Sequence, residues 1–274
     1  MIDQRIGING VTYHLIETGS GDPLVLLHGF MGSAAGWGAL HTQLARSRRV
    51  IALDALGHGS TDAPPIPQRY RIEQAAHDLV MLFELLALPP VDLLGYSMGG
   101  RLALYVALEY PERLRSLVLE STSAGLGNRI EAERRAQADA DRAAVIEQEG
   151  LETFIARDWE TLPLFASQRR LPEAIRDRVR AERMAHTADG LANSLRGMSV
   201  GQQPYLGERL GAITMPALLI AGELDAAYCE GMRRMAAHML NARIEIVPDA
   251  GHNVHLEQPA AYLECIDQFL NARR

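Results

Sequence analysis

Short apolar runs alternate with amphipathic segments in the first half of the chain and again near its end. A short apolar run is typical of a strand that is buried on both faces. Apolar residues that recur every three or four positions predict helices. Strands that alternate with helices indicate an α/β fold with a mostly parallel sheet and right-handed crossovers. The predicted strands lie at 24–27, 50–53, 91–94, 114–119, 216–222 and 243–247. The predicted helices lie at 37–45, 72–86, 98–109, 229–239 and 259–270.

Two segments depart from this alternation. Asn9-Gly10 separates residues 6–8 from residues 11–17, and this dipeptide predicts an antiparallel hairpin at the start of the fold. From about residue 125 to residue 206 there is no convincing strand, and arginine, glutamate and alanine recur at helical spacing between prolines. The aromatic and aliphatic residues in this segment argue against a disordered linker. We therefore expect an α/β core formed by residues 1–123 and 207–274, with a helical cap inserted at 124–206.

The composition is that of an ordinary globular protein, and it excludes some partners. The 274 residues are 47% hydrophobic and 22% charged, with a formal net charge of −7. This negative balance argues against nucleic acid or an anionic membrane surface as a partner. All 27 basic residues are arginine, so the residue type alone marks no arginine as special. The oligomeric state is not indicated by the sequence.

The cysteines and the first residues predict the cellular compartment of the protein. Cys229 and Cys265 are too few for a disulfide framework and lack metal-ligand spacing, which favours a reducing compartment. The first residues show no basic leader followed by an apolar core. No apolar run approaches the roughly 18 residues that span a bilayer. We expect a cytoplasmic protein with no membrane insertion and no metal.

The sequence Gly95-Tyr96-Ser97-Met98-Gly99-Gly100-Arg101 follows a predicted strand and opens a predicted helix. The Gly-x-Ser-x-Gly pattern in this context predicts a nucleophile elbow, which exposes the serine on a sharp and strained turn. Gly95 and Gly99 leave room for the crossing backbone, and Gly100 lets the helix pack close to the sheet. Ser97 is therefore the candidate nucleophile.

A serine hydroxyl needs an imidazole to take its proton and a carboxylate to orient that imidazole. In a fold of this kind the carboxylate and then the histidine follow later strands. Asp225 comes just after the strand that ends at Gly222, and His252 comes just after the strand that ends at Val247. The rival carboxylates are Glu223 and Asp249, and we favour Asp225 over both. His255, three residues after His252, is expected to be a surface or packing residue.

An oxyanion that forms beside Ser97 would need fixed hydrogen-bond donors. The backbone N–H of Met98, directly after the serine, is one candidate donor, and the N–H of Phe30 in the loop after the strand 24–27 is the other. His28 and His58 lie in loops near the same face of the sheet. We expect these two histidines to hold their loops in place rather than to take part in the chemistry.

The chain resembles the α/β-hydrolase superfamily over nearly its whole length. The motifs that carry this resemblance are His28-Gly29-Phe30, Gly57-His58-Gly59-Ser60, the elbow around Ser97, and the spaced Asp225 and His252. Within the superfamily it resembles the 2-succinyl-6-hydroxy-2,4-cyclohexadiene-1-carboxylate synthases of menaquinone biosynthesis. Four stretches carry this closer resemblance: residues 95–101, Asp158-Trp159 with residues 162–165, residues 195–198 with 202–204, and residues 251–257.

The resemblance implies a lyase without a cofactor. Members of that family eliminate pyruvate from 2-succinyl-5-enolpyruvyl-6-hydroxy-3-cyclohexene-1-carboxylate. A serine primed by histidine and aspartate removes a ring proton, the oxyanion hole stabilises the resulting enolate, and no acyl-enzyme is required. The implied partner is thus a small-molecule polycarboxylate. The resemblance also implies substrate-binding arginines in the cap, which fall on Arg183 and on either Arg134 or Arg135.

The residues themselves support part of this implication. Guanidinium groups are always charged and can hold carboxylates through two hydrogen bonds. Arg101 lies one helical turn after Ser97, so we expect it near the floor of the pocket. Tyr96, Trp159 and Phe165 would form apolar walls around the substrate ring.

Two other functions remain open at this point. A hydrolase of carboxylic esters, or of carbon–carbon bonds in ring-cleavage products, would use the same triad and oxyanion hole with water as its second substrate. A neutral ester would not repay the desolvation of buried arginines, so a ring of arginines around the site discriminates against it. A binding module that keeps the fold without catalysis is the second alternative, and the intact Ser, Asp and His set argues against it.

Overall fold

An eight-stranded sheet forms the centre of the computed structural model, which describes residues 1–272. The strands are ordered β1-β2-β4-β3-β5-β6-β7-β8 across the sheet. β1 pairs with β2, and β2 with β4, in the antiparallel sense, whereas all other neighbours are parallel. The prediction of a mostly parallel sheet with an opening antiparallel hairpin is therefore confirmed. The strands are β1 (Ile2–Ile8), β2 (Val11–Thr18), β3 (Pro23–Leu27), β4 (Arg49–Leu53), β5 (Val91–Tyr96), β6 (Leu114–Glu120), β7 (Ala217–Gly222) and β8 (Ala242–Val247).

Helices connect the strands and cover both faces of the sheet. The α-helices are α1 (Gly38–Leu44), α2 (Ile72–Leu85), α3 (Met98–Glu109), α4 (Arg129–Glu149), α5 (Leu151–Thr153), α6 (Glu173–Met184), α7 (Ala188–Gly197), α8 (Ala226–Ala237), α9 (Val254–Glu257) and α10 (Pro259–Asn271). A π-helical segment, Phe154–Trp159, continues α5. Shorter 3-10 turns lie at Ala35–Trp37, Pro67–Tyr70, Pro111–Arg113, Pro163–Arg170 and Gly207–Ala212. In residues 1–272 no helix has both the length and the apolar character needed to cross a bilayer.

The hairpin turn follows directly from its two residues. Asn9 and Gly10 have φ angles of 49° and 77°. A two-residue turn with both residues in this left-handed region matches the right-handed twist of the strands it joins. The pairing of Ile8 with Val11 then fixes the register of the whole hairpin.

The sheet separates two apolar clusters because successive strand residues point to opposite faces. In β3, Leu24 and Leu26 pack on one side and Val25 and Leu27 on the other. Helices α1 and α10 cover the first face, whereas α2, α3 and α8 cover the second. This packing holds the carboxyl ends of β5, β7 and β8 in fixed positions at one edge, where a ligand site is expected in such a fold.

The segment between β6 and β7 contains α4 to α7, all within the predicted cap at 124–206. Its helices form a small apolar cluster of their own, in which Ile146, Phe154 and Leu195 are buried. Met31, from the loop after β3, belongs to the same cluster. The helical segment is therefore packed onto the loop that carries Phe30.

The start of helix α8 differs from the sequence-based expectation by three residues. Helix α8 begins at Ala226 rather than Cys229, because the side chain of Asp225 accepts a hydrogen bond from the Tyr228 N–H and caps the helix. His255 lies in the short helix α9, and the last helix begins at Pro259, as predicted.

Candidate active site

Ser97 occupies a strained turn between β5 and α3. Its φ and ψ are 50° and −108°, outside the regions that a residue with a side chain ordinarily adopts. Two hydrogen bonds fix this conformation. The Ser97 N–H donates to the carbonyl of Glu120 at 2.8 Å, and the Thr122 hydroxyl donates to the carbonyl of Ser97 at 2.8 Å. Both partners belong to β6 or to the residues directly after it, so the neighbouring strand holds the elbow.

The glycines around Ser97 are required by close approaches of the backbone. A Cβ atom on Gly95 would lie 2.3 Å from the carbonyl oxygen of Gly99. One on Gly99 would lie 2.3 Å from the carbonyl oxygen of Leu27. Real Cβ atoms do not come this close to a backbone atom, so both positions accept only glycine without movement of the chain.

His252 links Ser97 to Asp225. Its Nε2 lies 3.1 Å from the Ser97 Oγ, and its Nδ1 lies 2.7 Å from an Asp225 carboxylate oxygen. The carboxylate fixes the tautomer with the proton on Nδ1, which leaves Nε2 free to accept the serine proton. Of the rival carboxylates, Glu223 accepts a hydrogen bond from the Asp249 N–H, and both residues are exposed away from the imidazole. The structure thus brings together the three residues that the sequence analysis favours.

Phe30 and Met98 line the same cavity as Ser97 and His252. Among the hydrogen bonds of residues 1–272, none is donated by the backbone amide of either residue. Met98 is the first residue of α3, where amides have no partner within the helix and carry a partial positive charge. Both N–H groups are therefore available to an oxygen atom bound beside the serine.

His28 and His58 hold loops, as expected. The Nδ1 of His28 donates to the Gly29 carbonyl at 2.7 Å, and its Nε2 accepts from the Ala55 N–H at 3.0 Å. His58 is fully enclosed, and burial lowers its pKa well below the usual value. His255 is a packing residue: its Nδ1 lies 2.7 Å from the buried carboxylate of Glu120.

The cavity is walled on one side by aromatic rings. Its empty volume, open solvent at the mouth included, is about 1630 Å³, which is ample for a small-molecule ligand. The ring of Trp159 lies 5.1 Å from that of Phe30 and 5.4 Å from that of Phe165. Tyr96 lies 5.5 Å from the imidazole of His252. The three aromatic residues singled out from the sequence thus form one wall beside the triad.

Arg101 reaches into the cavity from helix α3. One of its terminal nitrogens donates to the Met198 carbonyl at 2.8 Å and to the Gln203 side-chain oxygen at 2.5 Å. No carboxylate of residues 1–272 forms an ion pair with it. Burial without a counter-ion lowers the pKa of Arg101 to about 10. An anionic ligand would supply the charge that the protein does not.

Helix α4 presents Arg135, not Arg134, to the cavity. Arg134 is exposed on another face of the helix. Arg135 and Arg142 both contact the buried carboxylate of Asp139, at 2.9 Å each, and all three residues line the cavity. Asp139 also accepts a hydrogen bond from the Ser199 hydroxyl at 2.7 Å. The orientation of the helix therefore favours Arg135 over Arg134 as the candidate that contacts a ligand in this cavity.

Arg183 lies outside this cavity, in an adjacent pocket. Its guanidinium forms an ion pair with Glu160 at 3.1 Å and lies 5.4 Å above the ring of Phe165. Burial lowers the pKa of Arg183, and the carboxylate of Glu160 opposes that shift. The structure therefore does not place Arg183 together with Arg101 and Arg135.

Tyr228, Arg142 and Arg234 also line the cavity, although no motif in the sequence marks them. Arg142 follows Arg135 by two helical turns, so the helical spacing of α4 is a signal that could have identified it. Tyr228 follows Asp225 by one helical turn, and a helix capped by Asp225 would have placed it there. Nothing in the sequence distinguishes Arg234 from its neighbours.

Comparisons with known proteins agree with this geometry. A family model described as alpha/beta hydrolase fold matches residues 22–259. A candidate 2-succinyl-6-hydroxy-2,4-cyclohexadiene-1-carboxylate synthase of Bacillus subtilis (strain 168) is 45% identical over 266 residues, covering 96% of each chain. The synthase of the same name from Enterobacter sp. (strain 638) is 32% identical, covering 94% of this chain and 96% of that protein. The solved structure of MenH from S. aureus has a TM-score of 0.90 at 32% identity, covering 95% of this chain and 98% of that one. The chain therefore belongs to the α/β-hydrolase family and, within it, to the 2-succinyl-6-hydroxy-2,4-cyclohexadiene-1-carboxylate synthases.

Proposed function

We propose that this protein is a lyase that eliminates pyruvate from 2-succinyl-5-enolpyruvyl-6-hydroxy-3-cyclohexene-1-carboxylate in menaquinone biosynthesis. One observation carries the proposal. Ser97, His252 and Asp225 are linked by hydrogen bonds, and Ser97 and His252 line a cavity whose walls hold four arginines and a single aspartate. The substrate bears three carboxylates, so its charge complements the charge of the walls.

The names of substrate and product define the bonds that change. The ring double bond of the substrate begins at carbon 3, and those of the product begin at carbons 2 and 4. The proton must therefore leave carbon 2, which is next to the ketone of the succinyl group. The double bond then shifts, the bond between carbon 5 and the enolpyruvyl oxygen breaks, and the enolate of pyruvate leaves. That enolate takes up a proton, so no water and no oxidant enters the reaction.

Ser97 is the group that removes the proton from carbon 2. His252 accepts the hydroxyl proton of Ser97 at Nε2, and Asp225 stabilises the imidazolium that forms. The backbone N–H groups of Phe30 and Met98 bind the ketone oxygen as it acquires charge. Such fixed donors contribute most when they are in place before the charge develops. The imidazolium of His252 then returns the proton for the departing enolate.

The arginines bind the carboxylates, and the aromatic wall of Tyr96, Trp159 and Phe165 contacts the ring. Arg101 and Arg135 are the principal cations of the cavity in this proposal. Arg183 serves the adjacent pocket, which shares Phe30 and these three aromatic residues with the main cavity. A carboxylate arm that passes between the shared rings would reach it.

The cap, residues 124–206, acts as the lid that carries Arg135 and Arg142 over the elbow. We assign the protein to the cytoplasm, because Cys229 and Cys265 are both free thiols. The proposal involves a small polycarboxylate and no nucleic acid, in keeping with the net charge of −7.

Pyruvate release tests this function. The substrate is generated in place by the preceding enzyme of the pathway, and pyruvate is measured by a coupled assay with the uncatalysed rate subtracted. We expect release well above background, and a loss of at least about 10³-fold in Ser97→Ala, because the hydroxyl is the base. Circular dichroism of Ser97→Ala should match the parent protein. No acceleration by the parent protein, together with turnover of a simple aryl ester, would replace the lyase by a hydrolase.

A further inference from the structure

Tyr228 contacts the triad and lines the same cavity as Arg101 and Arg135. Its backbone N–H donates to the Asp225 carboxylate at 3.4 Å, which ties the residue to the start of α8. The centre of its ring lies 4.5 Å from that of His252, in an edge-to-face arrangement. The backbone and the ring of Tyr228 are therefore both fixed by residues of the triad.

The hydroxyl of Tyr228 has no hydrogen-bond partner within residues 1–272. Among the hydrogen bonds of residues 1–272, none involves this oxygen, and the residue lines the same cavity as Arg101, Arg135 and Ser97. Burial raises the pKa of Tyr228, while the positive charges of Arg101 and Arg135 act against that rise. The phenol is therefore neutral, lines the same cavity as both arginines, and is free to donate.

We propose that Tyr228 determines which ligands this cavity accepts, because its hydroxyl donates a hydrogen bond to the substrate carboxylate held by Arg101 and Arg135. The inference rests on the proposed function in taking that substrate to be a polycarboxylate. Arg101 and Arg135 attract any anion, since a guanidinium on its own discriminates little between carboxylates. A third donor in a fixed position selects the anion whose oxygens meet all three groups at once.

The ring and the hydroxyl have separable roles. The ring limits the movement of the His252 imidazole, as edge-to-face contacts between rings do. The hydroxyl contacts only the ligand. Replacing tyrosine by phenylalanine removes the second role and retains the first, whereas replacement by leucine removes both.

The first test measures binding without catalysis. Propane-1,2,3-tricarboxylate is titrated calorimetrically into the parent protein, into Tyr228→Phe and into Tyr110→Phe. Tyr110 lies at the end of α3, away from the cavity, and serves as the matched control. We expect Tyr228→Phe to bind about tenfold more weakly, as for loss of a hydrogen bond to a charged group, and Tyr110→Phe to bind like the parent.

A double-mutant cycle assigns the effect to a shared ligand oxygen. If Tyr228 and Arg101 hold the same carboxylate, Tyr228→Phe weakens binding much less in an Arg101→Met background than in the parent protein. In the pyruvate assay the loss in Tyr228→Phe should fall on KM, whereas Tyr228→Leu should also lower kcat. Equal affinity of Tyr228→Phe and the parent protein, or additive effects in the cycle, would overturn the inference.

Failure of this inference can be told apart from failure of the proposed function. If the parent protein binds the tricarboxylate but releases no pyruvate, the lyase function fails and the role of Tyr228 in carboxylate binding is still measured. If pyruvate is released and Tyr228→Phe binds and turns over like the parent, only the role of Tyr228 fails.

Discussion

The core and the cap hold their parts of the site in different ways. In the core, Ser97, Asp225 and His252 each follow a strand of the sheet, and backbone hydrogen bonds of β5 to β8 set their positions. In the cap, Arg135 and Arg142 extend from one helix, and within residues 1–272 their guanidinium groups are oriented by side-chain contacts with Asp139. The side chain of His252 is almost completely buried, whereas 48% of the Arg135 side chain is exposed.

This difference indicates a division of labour. Proton transfer requires distances that are fixed to a few tenths of an ångström, and a sheet provides them. Attraction of a polyanion depends on charge more than on exact position, so longer side chains on a packed helix are sufficient. We therefore infer that proton transfer depends on the core alone, whereas ligand binding uses both regions. Arg101 and Tyr228 come from the core, and Arg135 and Arg142 come from the cap helix α4.

The largest expected effect is that of Arg101→Met, which should separate ligand binding from the reactivity of the triad. Arg101→Met should lower kcat/KM for pyruvate release by about 100-fold, because a buried cation that contacts a carboxylate contributes about 2–3 kcal/mol. The rate at which a neutral sulfonyl fluoride modifies Ser97 should change less than about threefold, since that reaction needs only the triad and the oxyanion hole. Equal losses in the two assays would mean that Arg101 supports the triad rather than the ligand.

Substitution of Asp139 tests how the cap arginines are oriented. In Asp139→Asn the new NH2 group would face two guanidinium groups, so the free energy of unfolding should fall by about 2 kcal/mol. KM should rise severalfold, because lost orientation outweighs the gain of below about 1 kcal/mol from removing a partly screened negative charge.

The exposed Glu133 on the same helix pairs with Arg129 and provides the control. Glu133→Gln should change the free energy of unfolding by less than about 0.5 kcal/mol. For both variants the free energy of unfolding is measured by urea denaturation, and KM is measured in the pyruvate assay. A larger effect of Glu133→Gln than of Asp139→Asn would contradict the assigned role of the buried carboxylate.

The smallest expected effect concerns the contact between core and cap. His186, between α6 and α7, accepts a hydrogen bond from the Gly59 N–H at 3.1 Å, and its ring lies 5.4 Å from that of His58. Burial lowers the pKa of His186 from 6.5 to about 4. At a pH between these two pKa values, the imidazole is protonated in the unfolded chain but not in the folded protein. The free energy of unfolding therefore falls as the pH drops from 6.5 towards 4.

The variant His186→Asn keeps an acceptor and removes this titration. Between pH 6.5 and pH 5 the parent protein should lose about 1.5 kcal/mol more than His186→Asn, measured by urea denaturation at each pH. His77 is exposed on α2, so His77→Asn should follow the parent profile. Parallel profiles for the parent protein and His186→Asn would show that the buried imidazole does not contribute.

The same division explains what could be predicted from the sequence. Local patterns predict the strands of the core, and the positions of Ser97, Asp225 and His252 follow because each comes directly after a strand. The orientation of a cap helix depends on its packing against other helices, so the choice between Arg134 and Arg135 could not be made from local sequence. The pairing of Arg183 with Glu160 depends on tertiary contacts in the same way.

The excess of arginine over aspartate in the cavity also affects what happens after the reaction. The proposed elimination divides a trianion into a dianion and a monoanion, and each fragment carries fewer charges than the molecule that was bound. Because attraction to the walls grows with the charge of the ligand, the cavity retains both products less tightly than it captures the substrate. The chemical step would therefore itself weaken the hold of the site, and product release would require no separate trigger.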